Sequence, residues 1–186
     1  MGKKRTRCAG LIALLVAMML VGAGSAFGLA TTWVGGDVGN ETKWETAANW
    51  SAGVPGAGDD AIIPFVPNMP TVPAAGGTCL NLQIDTTGGV VTVTLAGNLT
   101  IPTGGSVSVT AGGNAATVTG AGDIVLGGTA TINNSTASLL TISCANINGN
   151  GANLITFTGG ENIAVNAAIV DGAATPVTIN MTASSD

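Results

Sequence analysis

From residue 79 onward the chain is built from short segments in which apolar residues alternate with small polar ones. Clear examples are 90-VVTVTL-95, 106-SVSVT-110 and 139-LLTIS-143, and Gly-Gly, Asn-Gly or Gly-Asn pairs follow many of the segments. Strict alternation places apolar residues on one face of a segment and polar residues on the solvent-exposed face, which predicts β-strands. Glycine and asparagine adopt positive φ readily and therefore predict tight turns between the strands.

The segments also recur at a longer spacing. The shift that places 98-NLTI-101 on 123-DIVL-126 also carries Val107 onto Ile132. A slightly shorter shift carries Ile124 onto Ile147. Spacings of this size are typical of a solenoid, in which each coil stacks on the next and buries a shared apolar strip.

We therefore predict an all-β fold, a single-stranded parallel β-helix with its repeats over residues 79–186. The alternative is an antiparallel β-sandwich, whose strands have similar lengths and spacing. Two features favour the solenoid. The segments are not obviously paired as hairpins, and an aromatic content of 3% is low for a sandwich core.

The beginning of the chain has the composition of an export signal. Basic residues at 3–7 precede an apolar run over 11–21 and small residues over 22–26. This order predicts a signal peptide over residues 1–26, cleaved after Ala26 or, as the alternative, after Ala30. A retained membrane anchor is the other interpretation, but the apolar run is short for a bilayer span. We expect a secreted or cell-surface protein with no membrane insertion after cleavage.

Removal of the signal peptide leaves a strongly acidic protein. Lys43 is then the only basic side chain, and all ten acidic residues remain, so the side-chain charge is 1 − 10 = −9. Such a charge gives no electrostatic attraction to nucleic acid. It also predicts repulsion from anionic membrane surfaces.

All three tryptophans lie within one short segment, at Trp33, Trp44 and Trp50, and five prolines follow between residues 55 and 73. A β-helix must cover the open end of its apolar interior, and large rings cover much apolar area. Proline also blocks the addition of further strands. We interpret residues 27–78 as an N-terminal cap and first coil. The alternative is a platform of exposed tryptophan rings that stack on sugars.

Cys79 and Cys144 remain after cleavage, and an exported protein permits a disulfide between them. The alternative is that both are plain apolar core residues. The chain has no histidine, and two cysteines alone cannot form a zinc site. The loop with Asp37, Asn40 and Glu41 and the pair Asp59-Asp60 are weak calcium candidates, because neither matches a known calcium loop. We therefore expect no cofactor.

The sequence provides no convincing catalytic constellation. The part after residue 26 has no arginine or histidine, and Asp59-Asp60 is the only adjacent acidic pair. Neighbouring residues of a strand point to opposite faces, so this pair does not suit a two-carboxylate hydrolase. We predict that the protein is not an enzyme and assign no catalytic residues.

Three Thr-x-Thr triplets, at 92–94, 117–119 and 129–131, raise the possibility of a threonine face that binds ice. Their spacing along the chain is irregular. We therefore attribute them to the β-propensity of threonine.

The stretches 43-KWETAANWSAGVPGAGDDAIIP-64 and 139-LLTISCANINGNGANLITFTGGENIAVNAAIVDGA-173 resemble secreted bacterial β-helix proteins of the adhesin and autotransporter-passenger type, with their autotransporter-associated β-strand repeats. The resemblance implies a right-handed coil and a structural or adhesive role, as the N-terminal part of a longer passenger truncated at its C-terminus. It implies glycans or cell-surface proteins as partners. The alternative function is a carbohydrate-binding surface or a remnant of a glycan-active enzyme.

Overall fold

The computed structural model describes residues 28–150, 154–171 and 178–181, so the expected signal peptide lies outside the described residues. The described chain forms short strands and one turn of 3₁₀-helix at Ala47–Asn49. The strands are β1 (Ala30–Thr32), β2 (Asp60–Pro64), β3 (Thr71–Val72), β4 (Gly77–Thr78), β5 (Asn81–Thr86), β6 (Val91–Leu95), β7 (Leu99–Ile101), β8 (Ser106–Gly112), β9 (Ala116–Gly120), β10 (Ile124–Leu126), β11 (Ala130–Asn134), β12 (Leu140–Ser143), β13 (Asn146–Asn148), β14 (Leu154–Thr158), β15 (Ile163–Val165), β16 (Ala168–Val170) and β17 (Thr178–Met181).

The strands form three sheets, and every ladder between them is parallel. Sheet 1 has the order β1-β2-β5-β8-β11-β14-β17, sheet 2 the order β3-β6-β9-β12-β15, and sheet 3 the order β4-β7-β10-β13-β16. From β2 onward each strand pairs with the third strand after it, because each coil gives one strand to each sheet. The fold is a β-solenoid, as predicted, and the antiparallel sandwich is wrong.

The register of the coils follows the spacings seen in the sequence. Leu99 pairs with Ile124, and Ile124 pairs with Ile147. Val107 pairs with Ile132 on sheet 1. Both inferred shifts are therefore confirmed as the lengths of single coils.

Inward-facing side chains of the three sheets fill the interior as vertical columns. Leu82, Val107, Ile132 and Phe157 form one such column on sheet 1, and all four are buried. Full burial of an aliphatic side chain of this kind stabilises the fold by about 1.5–3 kcal/mol. The narrow interior explains why the chain uses aliphatic residues and few aromatic ones.

Glycine is required where one coil passes closely over the next. Gly120 at the end of β9 has φ +126°, a conformation that residues with a side chain rarely adopt. A Cβ at this position would lie 2.2 Å from the carbonyl oxygen of Leu95 in the coil below. The corner therefore has no room for a side chain.

The sequence did not reveal every strand. The four N-terminal strands lie before residue 79, where the predicted repeats begin. β3 and β4 have only two residues each, which is too short for an alternating pattern to be visible.

Candidate functional site

The N-terminal segment adds backbone to the first strands of two sheets. β1 extends sheet 1 by pairing in parallel with β2, and the Trp33 N–H donates to the carbonyl oxygen of Ile62 at 2.8 Å. Lys43 forms a parallel bridge with Thr71, whose N–H donates to the Thr42 carbonyl at 2.7 Å. The segment therefore covers the N-terminal edges of sheets 1 and 2, as a cap requires.

The three tryptophan rings pack together in this cap. Trp50 meets Trp33 and Trp44 edge to face, with ring centroids 5.0 and 4.7 Å apart. All three side chains are at most 4% exposed, and they belong to one continuous core with Ala61 and Val72 of the first coil. This packing supports the interpretation of the segment as a cap. The alternative role of the rings as a sugar-stacking platform is wrong, because no ring face is open to solvent.

The indole N–H groups differ in their partners. Trp33 Nε1 donates to the carbonyl oxygen of Asn68, and Trp50 Nε1 donates to that of Trp44, both at 2.7 Å. Trp44 Nε1 is buried and has no hydrogen-bond partner among the described residues. A buried N–H without an acceptor carries a desolvation cost, so it marks a weak point in the cap.

Asn49 organises the loop of the cap, and the sequence analysis did not identify it. The side chain is fully buried. Its Nδ2 donates to the carbonyl oxygens of Asn40 and Lys43 at 2.6 and 3.0 Å, and its Oδ1 accepts from the Asp37 N–H at 2.8 Å. Its carbonyl oxygen accepts from the Val34 N–H at 2.8 Å. No sequence signal points to this role, because the partners of Asn49 are backbone groups that only the fold brings around it.

Asp59 fastens the start of the described chain to the first coil. Its two carboxylate oxygens accept from the N–H groups of Leu29 and Gly56, each at 2.8 Å. Hydrogen bonds to the ionised form favour it, so the Gly56 N–H first and the Leu29 N–H second lower the pKa of Asp59. This carboxylate has a structural role in holding the cap.

Asp60 begins a ladder of side chains on the outer face of sheet 1. One of its oxygens accepts from Asn81 Nδ2 at 2.6 Å, and the other accepts from Gln83 Nε2 at 3.1 Å. Ser106 Oγ then donates to Asn81 Oδ1 at 2.8 Å. A similar contact on sheet 3 joins Asn146 Nδ2 to Asp123 Oδ1 at 2.8 Å. These contacts connect successive coils along the axis.

The acidic loop considered for calcium makes its contacts within the protein. Asp37 Oδ2 accepts from Asn40 Nδ2 at 3.0 Å, and Asn40 Oδ1 accepts from Lys43 Nζ at 2.6 Å. Backbone N–H groups, that of Gly39 first, lower the pKa of Glu41. Within 28–150, 154–171 and 178–181, no three histidine, cysteine or acidic residues are grouped so that they could hold a metal ion.

The two cysteines do not form the suggested disulfide. Both thiols are free and buried. Cys79 follows β4 in the first coil and Cys144 follows β12 in the fourth, so three steps of about 4.8 Å separate them along the axis. A disulfide needs Cα atoms about 4.4–6.8 Å apart, and the stacking of the coils prevents this approach. Burial, and secondarily the charge of Asp60, raises the pKa of Cys79 to about 12.

Sheet 3 has a groove at its N-terminal edge, where the cap adds no strand. Its volume is about 440 Å³, and its lining includes Trp44, Glu45, Pro55, Thr78 and Asn98. Gly77 lies on its floor, and the unpartnered Trp44 Nε1 is 3.1 Å from where a Cβ of that glycine would be. The groove is a concave surface between the cap and the edge of sheet 3.

No helix in the described part of the chain has the length and apolar character needed to cross a bilayer. No protein-family model matches the chain, and neither the curated proteins nor the solved structures include a significant match. The resemblance to adhesin-type passengers therefore stays a prediction.

Proposed function

We propose that the protein is an exported, non-enzymatic β-solenoid that serves as a structural or adhesive element outside the cell. The observation that carries the proposal is a rod of parallel coils whose N-terminal end is closed by the three buried tryptophans. The cap covers the apolar interior at this end and blocks strand addition at two of the three sheet edges. The solenoid is therefore protected at its N-terminal end.

The outer surface supports a mechanical role. Hydrogen bonds between side chains of successive coils run along sheet 1 from Asp60 through Asn81 to Ser106, and along sheet 3 from Asp123 to Asn146. They add to the backbone ladders between coils and stiffen the rod. The polar side chains in these contacts hold the coils together.

Two charged side chains of the cap are also used for structure. Lys43, the single basic residue after position 26, donates to Asn40, and Asp59 accepts two backbone N–H groups. A general base or acid needs a free, suitably placed group with a tuned pKa. These contacts support a non-enzymatic role over a remnant of a glycan-active enzyme.

Export is the first part of the proposal to test. We would express the full chain with a C-terminal epitope in a bacterial host, next to a variant that lacks residues 2–26. The full chain is expected outside the cytoplasm, with a new N-terminus after Ala26 by mass spectrometry. Cytoplasmic retention of both forms, with residues 1–26 uncleaved, would contradict export.

The adhesive part needs a separate readout. The exported protein, coupled to beads, should bind a surface component in panels of glycans and cell-surface proteins, and it should release no sugar from polysaccharides. Release of reducing ends would identify an enzyme instead.

The second candidate function is carbohydrate binding, and its candidate site is a groove rather than the tryptophan rings. The tryptophan rings are buried, whereas the groove at the edge of sheet 3 offers Glu45, Thr78 and Asn98 as polar contacts. Glycan binding that is lost in Glu45→Ala and Asn98→Ala, with folding unchanged, would favour this function over the purely structural one.

A further inference from the structure

The outer face of sheet 2 carries a regular array of hydroxyl groups, which the sequence did not reveal. Thr92 pairs with Thr117 and Thr94 pairs with Thr119 between β6 and β9. Between β9 and β12, Thr117 pairs with Thr141, and Thr119 pairs with Ser143. The three Thr-x-Thr triplets are irregularly spaced along the chain, but the stacking of the coils brings the first two into register. The hydroxyl array consists of Thr92, Thr94, Thr117, Thr119, Thr141 and Ser143.

The triplet at 129–131 is not the third member of the array. Thr131 belongs to β11 of sheet 1, so this triplet lies on another face. The sequence 141-TIS-143 takes its place on sheet 2, with serine instead of the second threonine.

The spacing of the array is uniform in two directions. Neighbouring strands are about 4.8 Å apart, and alternate residues of one strand are about 6.6 Å apart. The β6–β9 and β9–β12 pairings run without a register shift, whereas the β5–β8 pairing of sheet 1 shifts between Ile84 and Asp85. Sheet 2 therefore holds its side chains in an unbroken grid.

The hydroxyls of the array are free to bond outside the protein. All six side chains are partly exposed, and none of them makes a side-chain hydrogen bond within the described structure. Several polar side chains of sheets 1 and 3 instead bond to one another, as Asn81 does to Asp60 and Asn146 to Asp123. Threonine is also restricted at χ1, so its hydroxyl oxygen has few positions available and loses little entropy on binding.

The array itself carries no charge, and apolar side chains flank it on one side. Val90, Ala115 and Leu139 precede the three strands and continue the same outward side, with Val90 54% and Leu139 41% exposed. The outer faces of sheets 1 and 3 carry Asp60 and Asp123. In a protein with a net charge of −9 after residue 26, the six hydroxyl side chains therefore form a neutral patch.

We propose that this face of sheet 2 binds ice. A rigid grid of donors and acceptors is matched in register by a partner that itself repeats in two dimensions, as the water molecules of an ice crystal surface do. The threonine methyl groups and the neighbouring Val90, Ala115 and Leu139 give the face apolar surface between and beside the hydroxyls. A crystalline polysaccharide also repeats, but this face offers no aromatic ring on which a sugar could stack.

The test uses slow freezing of a dilute solution of the purified protein and measures its partition between ice and liquid. The wild type is expected to be enriched in the ice. Thr117→Lys places a long charge at the centre of the array and should lower this enrichment about tenfold or more, from lost hydrogen bonds and a clash with the lattice. Thr131→Lys makes the same change on sheet 1 and should leave the partition unchanged.

Thr117→Val, which removes the hydroxyl and keeps the shape, gives an intermediate loss and remains informative if Thr117→Lys unfolds. Exclusion of the wild-type protein from ice would overturn the proposal. Equal partition of the two lysine variants would also overturn it. Binding to crystalline cellulose or chitin without ice enrichment would assign the face to a polysaccharide instead. A dimer in sedimentation that Thr117→Lys dissociates, without ice enrichment, would assign it to a second copy of the chain.

Discussion

Trp50 Nε1 donates a hydrogen bond to the carbonyl oxygen of Trp44 at 2.7 Å, and the two rings meet edge to face with centroids 4.7 Å apart. This contact joins two parts of the cap that are both buried. Trp44 itself has an indole N–H without a partner in the described structure. The two residues therefore contribute differently to stability, although both fill the same end of the solenoid.

Trp50→Phe should destabilise the protein more than Trp44→Phe. Both changes remove a similar volume, but only the first also removes a hydrogen bond and leaves the Trp44 carbonyl without its partner. The difference should be about 1–3 kcal/mol in the free energy of unfolding. Urea unfolding measures it, and equal destabilisation by the two variants would contradict the assignment of the hydrogen bond.

Asn49→Ala should be among the most damaging changes to a polar residue. It removes three hydrogen bonds to the cap loop and leaves buried backbone groups unsatisfied, at a cost of about 3 kcal/mol. The matched control is Asn133→Ala, which removes one exposed contact to Ser135. A thermal unfolding scan in which both variants lose the same stability would argue against a central role for Asn49.

Gly120→Ala should destabilise the protein by about 2 kcal/mol or more, because of its positive φ and the close carbonyl of Leu95. Gly113→Ala is the control, since a Cβ there meets nothing within 4 Å. Urea midpoints of the two variants make the comparison. A mild effect at Gly120 would mean that the corner between the coils is looser than the structure shows.

The cap should loosen in acid through Asp59. The pKa of this carboxyl is lowered in the folded state, so its stabilising contribution is present above the unfolded pKa and is lost as the pH falls through the folded value. Asp59→Asn should therefore have a flatter dependence of stability on pH on the acid side. If the variant and the wild type lose stability in parallel as the pH falls, other carboxylates are responsible.

Cys79 and Cys144 should be unreactive in the folded protein. Burial raises the pKa of both thiols, so little thiolate forms at neutral pH. An alkylating reagent at mildly alkaline pH should label neither residue in the native state and both in urea, as mapped by peptide mass spectrometry. Protection in urea that only a reductant removes would reveal a disulfide and contradict the structure.

Much of the solenoid could be predicted because its strands and the length of its coils follow from the local pattern of apolar and polar residues. The alternation in 116-ATVT-119 and the shift from Leu99 to Ile124 depend only on residues that face the same core. The cap residues were also identified, since Trp33, Trp44 and Trp50 are large rings in a chain that has few others. The right-handed coil stays a prediction.

The contacts that depend on exact coil length could not be predicted. The stacking places Thr141, not a residue of the triplet at 129–131, in line with Thr117, because that triplet falls on sheet 1. The separation of Cys79 and Cys144 by three coils is likewise a property of the stacking. Asn49 gave no signal of its own, because its importance lies in the backbone groups that the fold brings around it.

Urea unfolding monitored by both tryptophan fluorescence and far-ultraviolet circular dichroism tests the central claim most directly. Every tryptophan lies in the cap and the chain has no tyrosine, so fluorescence reports the cap while dichroism reports the sheets. We predict blue-shifted native emission from buried rings and a single transition shared by both signals. Emission typical of solvent-exposed indole in the native protein, or a fluorescence transition well before the loss of sheet, would contradict a cap that is part of the solenoid core.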